Sequence, residues 1–199
     1  GSTITLAAST TVNSLTINSG GTLIRSSSYT LSGTVTNNGT LIVRYTITAN
    51  TGSFTWNTAA AWAGGVVPTT NDIVIIPSGA TITLTASTTV YSTTINSGGI
   101  LVRNSSATLS GTVNNNGTIV VSNTITANTG AFTWNTTSAW VGGVIPGTYD
   151  DVIIPSGATI RLTATTTVRS TTINSGGIFV RNSSATLNGT ITNLSLIHI

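Results

Sequence analysis

This sequence of 199 residues is marked first by what it lacks: it contains no Cys, Met, Lys, Glu or Gln. Without Cys there is no disulfide framework, no Cys-ligated zinc site and no iron–sulfur site. Without Lys there is no P-loop and no Schiff-base chemistry, and without Glu there is no HExxH zinc-protease motif. We therefore predict a non-enzymatic chain with no catalytic residue, no cofactor and no metal site.

Charge is also scarce, at 5% of the residues. The isoelectric point near 10.0 reflects six Arg set against three Asp, and the Arg are spread singly along the chain. Nucleic-acid binding requires clustered basic residues, so we expect no nucleic-acid partner. No apolar run approaches the ~18–20 residues of a membrane-spanning helix, so we expect no membrane span in this sequence.

The residues that are present form a long internal repeat. Thr, Ser, Asn and Gly make up just over half of the chain, and Thr-Ile-Thr-Leu of residues 3–6 recurs at 81–84. Residues 3–80 and 81–158 are about three-quarters identical without a gap. The repeat divides the chain into copy 1 (1–80), copy 2 (81–158), a partial copy 3 (159–193) and a six-residue tail (194–199).

A shorter period lies inside the long one. A β-branched residue followed by a Gly, Asn or Ser turn recurs at Ile76, Ile95 and Val113, at spacings of about 18–19 residues. Short segments rich in Val, Ile and Thr, punctuated by Gly and Asn, are typical of strands and turns. Because these turns can stack from coil to coil, we predict an all-β fold. It is a right-handed, single-stranded parallel β-helix (β-solenoid) with coils of about 18–19 residues.

The solenoid hypothesis assigns inward and turn positions. Ile4, Leu6, Ile17 and Leu23, with their repeat equivalents, are expected to point inward. Four Asn are predicted to hold equivalent turn positions, where stacked side-chain amides would form a hydrogen-bonded ladder. These are Asn18, Asn96, Asn114 and Asn174. Asp72 and Asp150 are predicted to cap a turn before a buried strand.

About half of each repeat breaks the short period, and this part contains a pair of Trp. We predict a loop that leaves the solenoid and closes onto the next coil. Its Trp residues are Trp56 and Trp62 in the first copy and Trp134 and Trp140 in the second. They have two interpretations: exposed platforms that stack on sugar rings, or anchors that bury apolar area against the solenoid.

This segment carries a resemblance. The order is Trp, five residues, Trp-x-Gly-Gly-x-x-Pro, then Asp and Val-Ile-Ile-Pro-Ser-Gly. It resembles repeats of large secreted bacterial surface proteins, and the start of the extracellular domain named for its eight glycines. The Thr-Ile-Asn-Ser-Gly-Gly coils that follow resemble β-helical stalks of adhesins and autotransporter passengers. The resemblance implies surface display and adhesion or spacing, and it supplies no catalytic residues.

The tail, residues 194–199, departs from the repeat. Its sequence, Leu-Ser-Leu-Ile-His-Ile, matches a translation of the transposase end sequence used in sequencing libraries. We therefore expect a non-native, adapter-derived tail on a metagenomic fragment truncated at both ends; ordinary divergence of the repeat is the alternative. The only His of the chain, His198, lies in this tail.

Other chemistries remain as alternatives. Adjacent Asp150 and Asp151 would point to opposite faces of a strand, whereas a glycosidase needs two carboxylates across a cleft. Calcium could use Asp72 or Asp150 with backbone carbonyls. Ice binding would need Thr-x-Thr in every coil, but the place of Thr-Ile-Thr at 81–83 reads Ile-Leu-Val in the next coil, at 100–102.

The expected function is therefore structural: a stalk segment of a secreted or cell-surface bacterial repeat protein. About ten coils at ~4.8 Å would give a rod of roughly 45–50 Å. A carbohydrate-binding surface made by the Trp loops, and the scaffold of a polysaccharide-active β-helix enzyme, are the alternatives. The expected partners are surface glycans or other copies of the repeat.

Overall fold

The computed structural model describes residues 1–195, and they form an all-β solenoid of parallel stacked coils, as predicted. The strands are short and rich in β-branched residues, whose stiff side chains suit a pleated surface. Their bounds are β1 Thr3–Leu6, β2 Thr10–Ile17, β3 Thr22–Ser26, β4 Leu31–Asn37, β5 Thr40–Arg44, β6 Thr46–Thr48, β7 Gly52–Thr55, β8 Ile73–Ile76, β9 Ala80–Leu84, β10 Thr88–Ile95, β11 Ile100–Asn104, β12 Leu109–Asn115, β13 Thr118–Ser122, β14 Thr124–Thr126, β15 Gly130–Thr133, β16 Asp151–Ile154, β17 Ala158–Leu162, β18 Thr166–Ile173, β19 Ile178–Arg181 and β20 Leu187–Asn193.

The chain divides into two compact units, Gly1–Val120 and Val121–Ile199. The strand orders of the first unit are β1-β3-β5, β2-β4, β6-β8-β10-β12 and β7-β9-β11-β13, the last strand running just past the unit's end. The described residues of the second unit have the orders β14-β16-β18-β20 and β15-β17-β19. New sheets thus begin at β6 and β7, and again at β14 and β15.

The coils vary more in length than the short period predicts. Thr3 pairs with Thr22, which is the predicted step from one coil to the next. Thr10 pairs with Leu31, which is a longer step, and the register of this strand pair then shifts after Thr11. The coil that contains the Trp pair is longer still, because β6 pairs directly with β8 and the whole Trp segment lies between these two strands.

The prediction that Asn96 and Asn114 hold equivalent turn positions is wrong. Thr94 pairs with Asn114 and Ile95 with Asn115, so Asn114 lies inside β12 and Asn116 follows the strand. The cause is a shorter turn. The turn that contains Gly117 is shorter than the Gly-containing turn beside it in the preceding coil. A Cβ on Gly117 would lie 2.4 Å from the carbonyl oxygens of Asn96 and Gly99. Only Gly permits this close approach.

The core is built from the predicted inward residues. Ile82, Leu84, Ile95 and Leu101 are all buried, because each coil places them against the coils before and after it. Copy 3 repeats this with Ile160, Leu162 and Ile173. The equivalent Ile4 of copy 1 is different: it lies in β1, the first strand of its sheet, and is 62% exposed.

Helical structure is confined to single 3₁₀ turns in the Trp segments of the described chain. They lie at Ala59–Ala61 and Ala63–Gly65 in the first unit, and at Thr137–Ala139 and Val141–Gly143 in the second. Among residues 1–195, no helix has the length and apolar character needed to cross a membrane.

Candidate functional site

The feature that distinguishes each unit chemically is a long coil, here called the tryptophan coil, at residues 45–72 and 123–150. Its first part is ordinary solenoid, because β6 pairs with β8 and β7 pairs with β9. Only residues 57–72 leave the strand path, so the excursion is shorter than the predicted loop. Trp56 still continues the ladder, since its amide donates to the Thr83 carbonyl at 2.9 Å.

The two Trp of each coil pack against each other inside the core. The ring centroids of Trp56 and Trp62 lie 4.9 Å apart at 71°, an edge-to-face arrangement, and Trp134 and Trp140 repeat it at 4.9 Å and 72°. The Trp62 Nε1–H donates to the Trp56 carbonyl at 2.7 Å. All four residues are at most 1% exposed, so no ring face is open to a sugar. This burial favours the anchor interpretation.

The excursion is tied to the beginning of the same coil. Ala49 and Trp62 form an antiparallel bridge, and the Asn50 amide donates to the Ala61 carbonyl at 2.8 Å. The Asn50 side chain donates to the Ala60 carbonyl at 3.0 Å. The Trp pair shares one apolar cluster with Ile47 and Ala49, so it covers the strand that begins the sheet.

Asp72 fastens the end of the excursion to the start of the tryptophan coil. Its carboxylate accepts from the Thr69 amide at 2.7 Å, the Thr69 hydroxyl at 2.7 Å and the Tyr45 amide at 3.3 Å. The residue is buried, and its carboxylate faces N–H and O–H donors. A cation needs those oxygens free of donors, so this arrangement is a turn cap and does not suit calcium.

Asp150 holds the same place in the second unit. It accepts from the Gly147 amide at 2.8 Å and from the Asn123 amide at 2.8 Å. It is more exposed than Asp72, and Gly147 replaces Thr69, so the hydroxyl donor is missing. Both carboxylates therefore accept hydrogen bonds from backbone amides that would otherwise lack a partner.

Asp151, the neighbour of Asp150, forms an ion pair in the second unit. It binds Arg169, whose Nε donates at 2.8 Å, and it also accepts from the Ser170 hydroxyl at 2.5 Å. Partial burial raises the pKa of the Asp151 carboxyl, but hydrogen bonds from Arg169 and Ser170 and the charge of Arg169 outweigh it and lower the pKa. The first unit has Ile73 and Tyr91 in these places.

The predicted turn Asn do not form an amide ladder in the described residues. Each of these turns is closed by a backbone hydrogen bond, in which the Asn carbonyl accepts from the amide of the Gly three residues later. The distance is 2.8 Å at Asn18, Asn96 and Asn174. Gly98, in one of these turns, has φ +78°, a conformation that favours Gly.

One structural role was missed from the sequence. Arg25, Arg103 and Arg181 are repeat equivalents, and each donates from Nη1 to the carbonyl four residues on, at 2.7, 3.0 and 3.2 Å. Each Arg thus closes the turn after its strand. The spacing to the Ser-Ser turn that follows is the signal that could have found it.

The tryptophan coils also expose some apolar side chains: Val66, Val141, Val144 and Ile145. No group of three or more His, Asp or Glu that could hold a metal occurs among residues 1–195. A cavity of about 870 Å³ in the second unit lies beside Phe179 and Ile191. The residues equivalent to β13 begin at 196, outside the described part, so this cavity supports no ligand site.

The register also locates the Thr-x-Thr segments. Thr81, Ile82 and Thr83 lie directly beside Ile100, Leu101 and Val102. The Thr pattern therefore stops after one coil on this face.

No protein-family model, no curated protein and no solved structure matches the chain. The geometry of its own two units is therefore the basis for any assignment of function.

Proposed function

We propose that this chain is a structural segment of a secreted or cell-surface bacterial repeat protein, which extends and spaces other parts of that protein without catalysis. The observation that carries the proposal is the repetition of the tryptophan coil. The two coils lie at equivalent places in the repeat, and they give the same 4.9 Å edge-to-face pair and the same bond from the second Trp to the first.

The differences between the two units support the same role. Two partly exposed positions change in polarity: Ile73 becomes Asp151, and Tyr91 becomes Arg169. The four buried Trp are retained. A chain whose task depended on one set of polar side chains would need that set in each unit, whereas a spacer needs only the packing.

Mechanical unfolding tests the load-bearing part of this proposal. A tandem array of residues 45–122, stretched by force spectroscopy, should give a regular sawtooth. Each event should release roughly 260–280 Å of chain, the extended length of one repeat. A featureless extension at low force would contradict a load-bearing role. Trp62→Ala in every repeat should lower the unfolding force, and Val66→Ala is the matched control because that side chain is exposed.

Localisation is tested separately. An antibody raised against the chain should label intact cells of the producing bacterium, and protease added outside those cells should remove the label. Labelling only after lysis would overturn surface display while leaving the mechanical result intact.

A further inference from the structure

We propose that the surface around Arg44 in the first unit binds an acidic saccharide. Arg44 takes the carboxylate of a uronic acid, and the exposed Tyr45 and Tyr91 contact its sugar ring. Such binding goes beyond the spacing role, because it gives the segment a ligand. All three residues lie within the first unit.

Arg44 is the arginine of the first unit that has no oxygen acceptor. Arg25 and Arg103 each donate to a backbone carbonyl. Asp72 is the only carboxylate side chain of this unit, and the N–H and O–H donors of its turn already occupy it. In the described chain no ion pair includes Arg44, and its Nε is buried without a hydrogen-bond partner. A half-buried guanidinium in this state can gain a strong, charge-assisted contact from an external carboxylate.

Tyr91 holds the guanidinium in place. The Cζ atom of Arg44 lies 3.5 Å from the centroid of the Tyr91 ring. At this distance the two groups meet face to face in a cation–π contact, so the N–H donors in the guanidinium plane are directed away from the ring. Because Nε is buried, the two Nη groups form the outward edge. Such an edge matches the two oxygens of a carboxylate.

A β-bulge sets the position of Tyr91. The register of β10 with β12 shifts between Thr89 and Ser92, and the amides of Tyr91 and Ser92 both donate to the Asp72 carbonyl, at 3.0 and 3.4 Å. Bulges re-aim side chains, and Tyr91 is 48% exposed although it lies within a strand. Tyr45, whose amide donates to the carboxylate of the same Asp72, is 55% exposed. The backbone around one aspartate therefore positions both tyrosines.

The second unit contains the carboxylate that the first unit lacks. There the bulge carries Arg169 in place of Tyr91, and Asp151 stands in place of Ile73. Arg169 and Asp151 form a bidentate pair, so this arginine has its carboxylate within the chain. The first unit holds its guanidinium over the side chain at the same bulge, yet apolar Ile73 supplies no oxygen. A carboxylate from outside would form the pair that the second unit forms internally.

The surroundings of Arg44 favour one class of carboxylate ligand. A polyanion such as nucleic acid needs several cations, and here there is one unpaired arginine. Tyr45 and Tyr91 each offer an apolar ring with a hydroxyl group, which suits the C–H face and the hydroxyls of a sugar. A uronic acid combines a single carboxylate with a ring of this kind, so it fits the site.

Titration of the isotope-labelled full chain, followed by NMR at the Nε–H of Arg44, is the first test. The probe is the methyl glycoside of glucuronic acid, for which we expect saturation with a Kd of about 1–10 mM. The methyl glycoside of glucose has the same ring without the carboxylate, and acetate has the carboxylate without the ring. Each should bind about tenfold more weakly or less. The Nε–H of Arg169 is the internal control and should not shift.

Two matched variants test the position of the site. Arg44→Gln should abolish the binding. Arg161→Gln removes the same charge from an exposed position of β17 in the second unit, and it should bind like the parent chain.

A double variant, I73D with Y91R, tests the comparison between the units without changing the net charge. It gives the first unit the arginine–aspartate pair of the second and removes the ring under Arg44, so binding should be lost. Because the second unit already folds around this pair, thermal melts should show a folded chain.

The proposal fails if the Arg44 signal does not shift by about 50 mM uronide, or if the double variant binds like the parent chain. Equal affinity for acetate would show an anion site without saccharide recognition. Tighter binding of N-acetyl-aspartate than of the uronide would show a peptide site. Either result would overturn the assignment to a saccharide. None of these results bears on the spacing role, which the force measurement tests.

Discussion

The two copies of one coil sequence, 3–26 and 81–104, show how much burial depends on neighbours. Both begin Thr-Ile-Thr-Leu and pair with the following coil in the same register. Ile82 is fully buried, whereas its equivalent Ile4 is 62% exposed. Residues 81–104 lie beside the tryptophan coil, because β7 pairs with β9, whereas β1 begins its sheet. Burial in this solenoid is therefore supplied by the adjacent coil.

Removing the tryptophan coil's packing should make the two copies alike, and this is the largest expected effect. Trp62→Ala deletes the edge-to-face contact and the bond to the Trp56 carbonyl, and it leaves a large cavity. We expect a loss of about 3–5 kcal/mol in the free energy of unfolding of the first unit, measured in urea. Hydrogen exchange at 81–84 should rise toward that at 3–6. A change below ~1 kcal/mol would mean that the anchor interpretation is wrong.

The second prediction uses the matched Ile pair directly. Ile82→Ala should cost about 2–5 kcal/mol, because it opens a cavity in a fully packed site. Ile4→Ala should cost less than ~0.5 kcal/mol, since that side chain is already exposed. Urea titrations of both variants measure the contrast. Equal losses would show that Ile4 is covered in solution.

The solenoid, its repeat and most of its inward residues could be predicted because they depend on local patterns. Strand and turn propensity placed Ile82 and Ile95, and the offset of the long repeat placed their equivalents. The position of Asn114 could not be predicted from turn composition, because a shortened turn is offset by extra length earlier in the coil. The ends of the sheets depend on long-range pairing, which the pattern of Val, Ile and Thr does not encode.

The candidate site shows the same contrast between features that depend on local sequence and features that depend on long-range contacts. The Trp spacing identified the segment, and Asp72 and Asp150 lie in turns. Neither the burial of Trp56 nor the contact of Asp72 with Tyr45 follows from sequence, since each depends on how the excursion folds back onto distant parts of the chain. The tail residues 196–199, including His198, lie outside the described part, so their expected origin stays a prediction.

A third prediction compares Thr93 with Leu15, its equivalent in copy 1. The hydroxyl of Thr93 is buried without a hydrogen-bond partner, and copy 1 has an apolar side chain at this place. Thr93→Val keeps the shape and removes the unsatisfied group, so we expect stabilisation of about 1 kcal/mol. Thr171→Val should do the same in the second unit, because its hydroxyl is also without a partner. Destabilisation of both variants would indicate that a buried water satisfies these hydroxyls.

The smallest expected effect is the pH dependence that Asp151 gives to the second unit. The pKa of Asp151 is lowered below its ordinary value of 3.8. A lowered carboxyl pKa stabilises the fold above the unfolded-state value, and this stabilisation disappears as the pH falls through the folded-state value. Because the ion pair is partly exposed, it should contribute only about 0.5–1 kcal/mol.

Asp151→Asn isolates that contribution. The variant should be less stable than the parent chain near neutral pH, and the difference should vanish in acid, once the pH is below the lowered pKa of Asp151 in the folded chain. The first unit provides the internal control, since Ile73 stands in place of Asp151 and does not titrate. Hydrogen exchange resolved by unit, followed across the acid range, separates the two. A difference that persists in acid would mean that Asp151 acts through packing or its hydrogen bond with Ser170, since the charge is then absent.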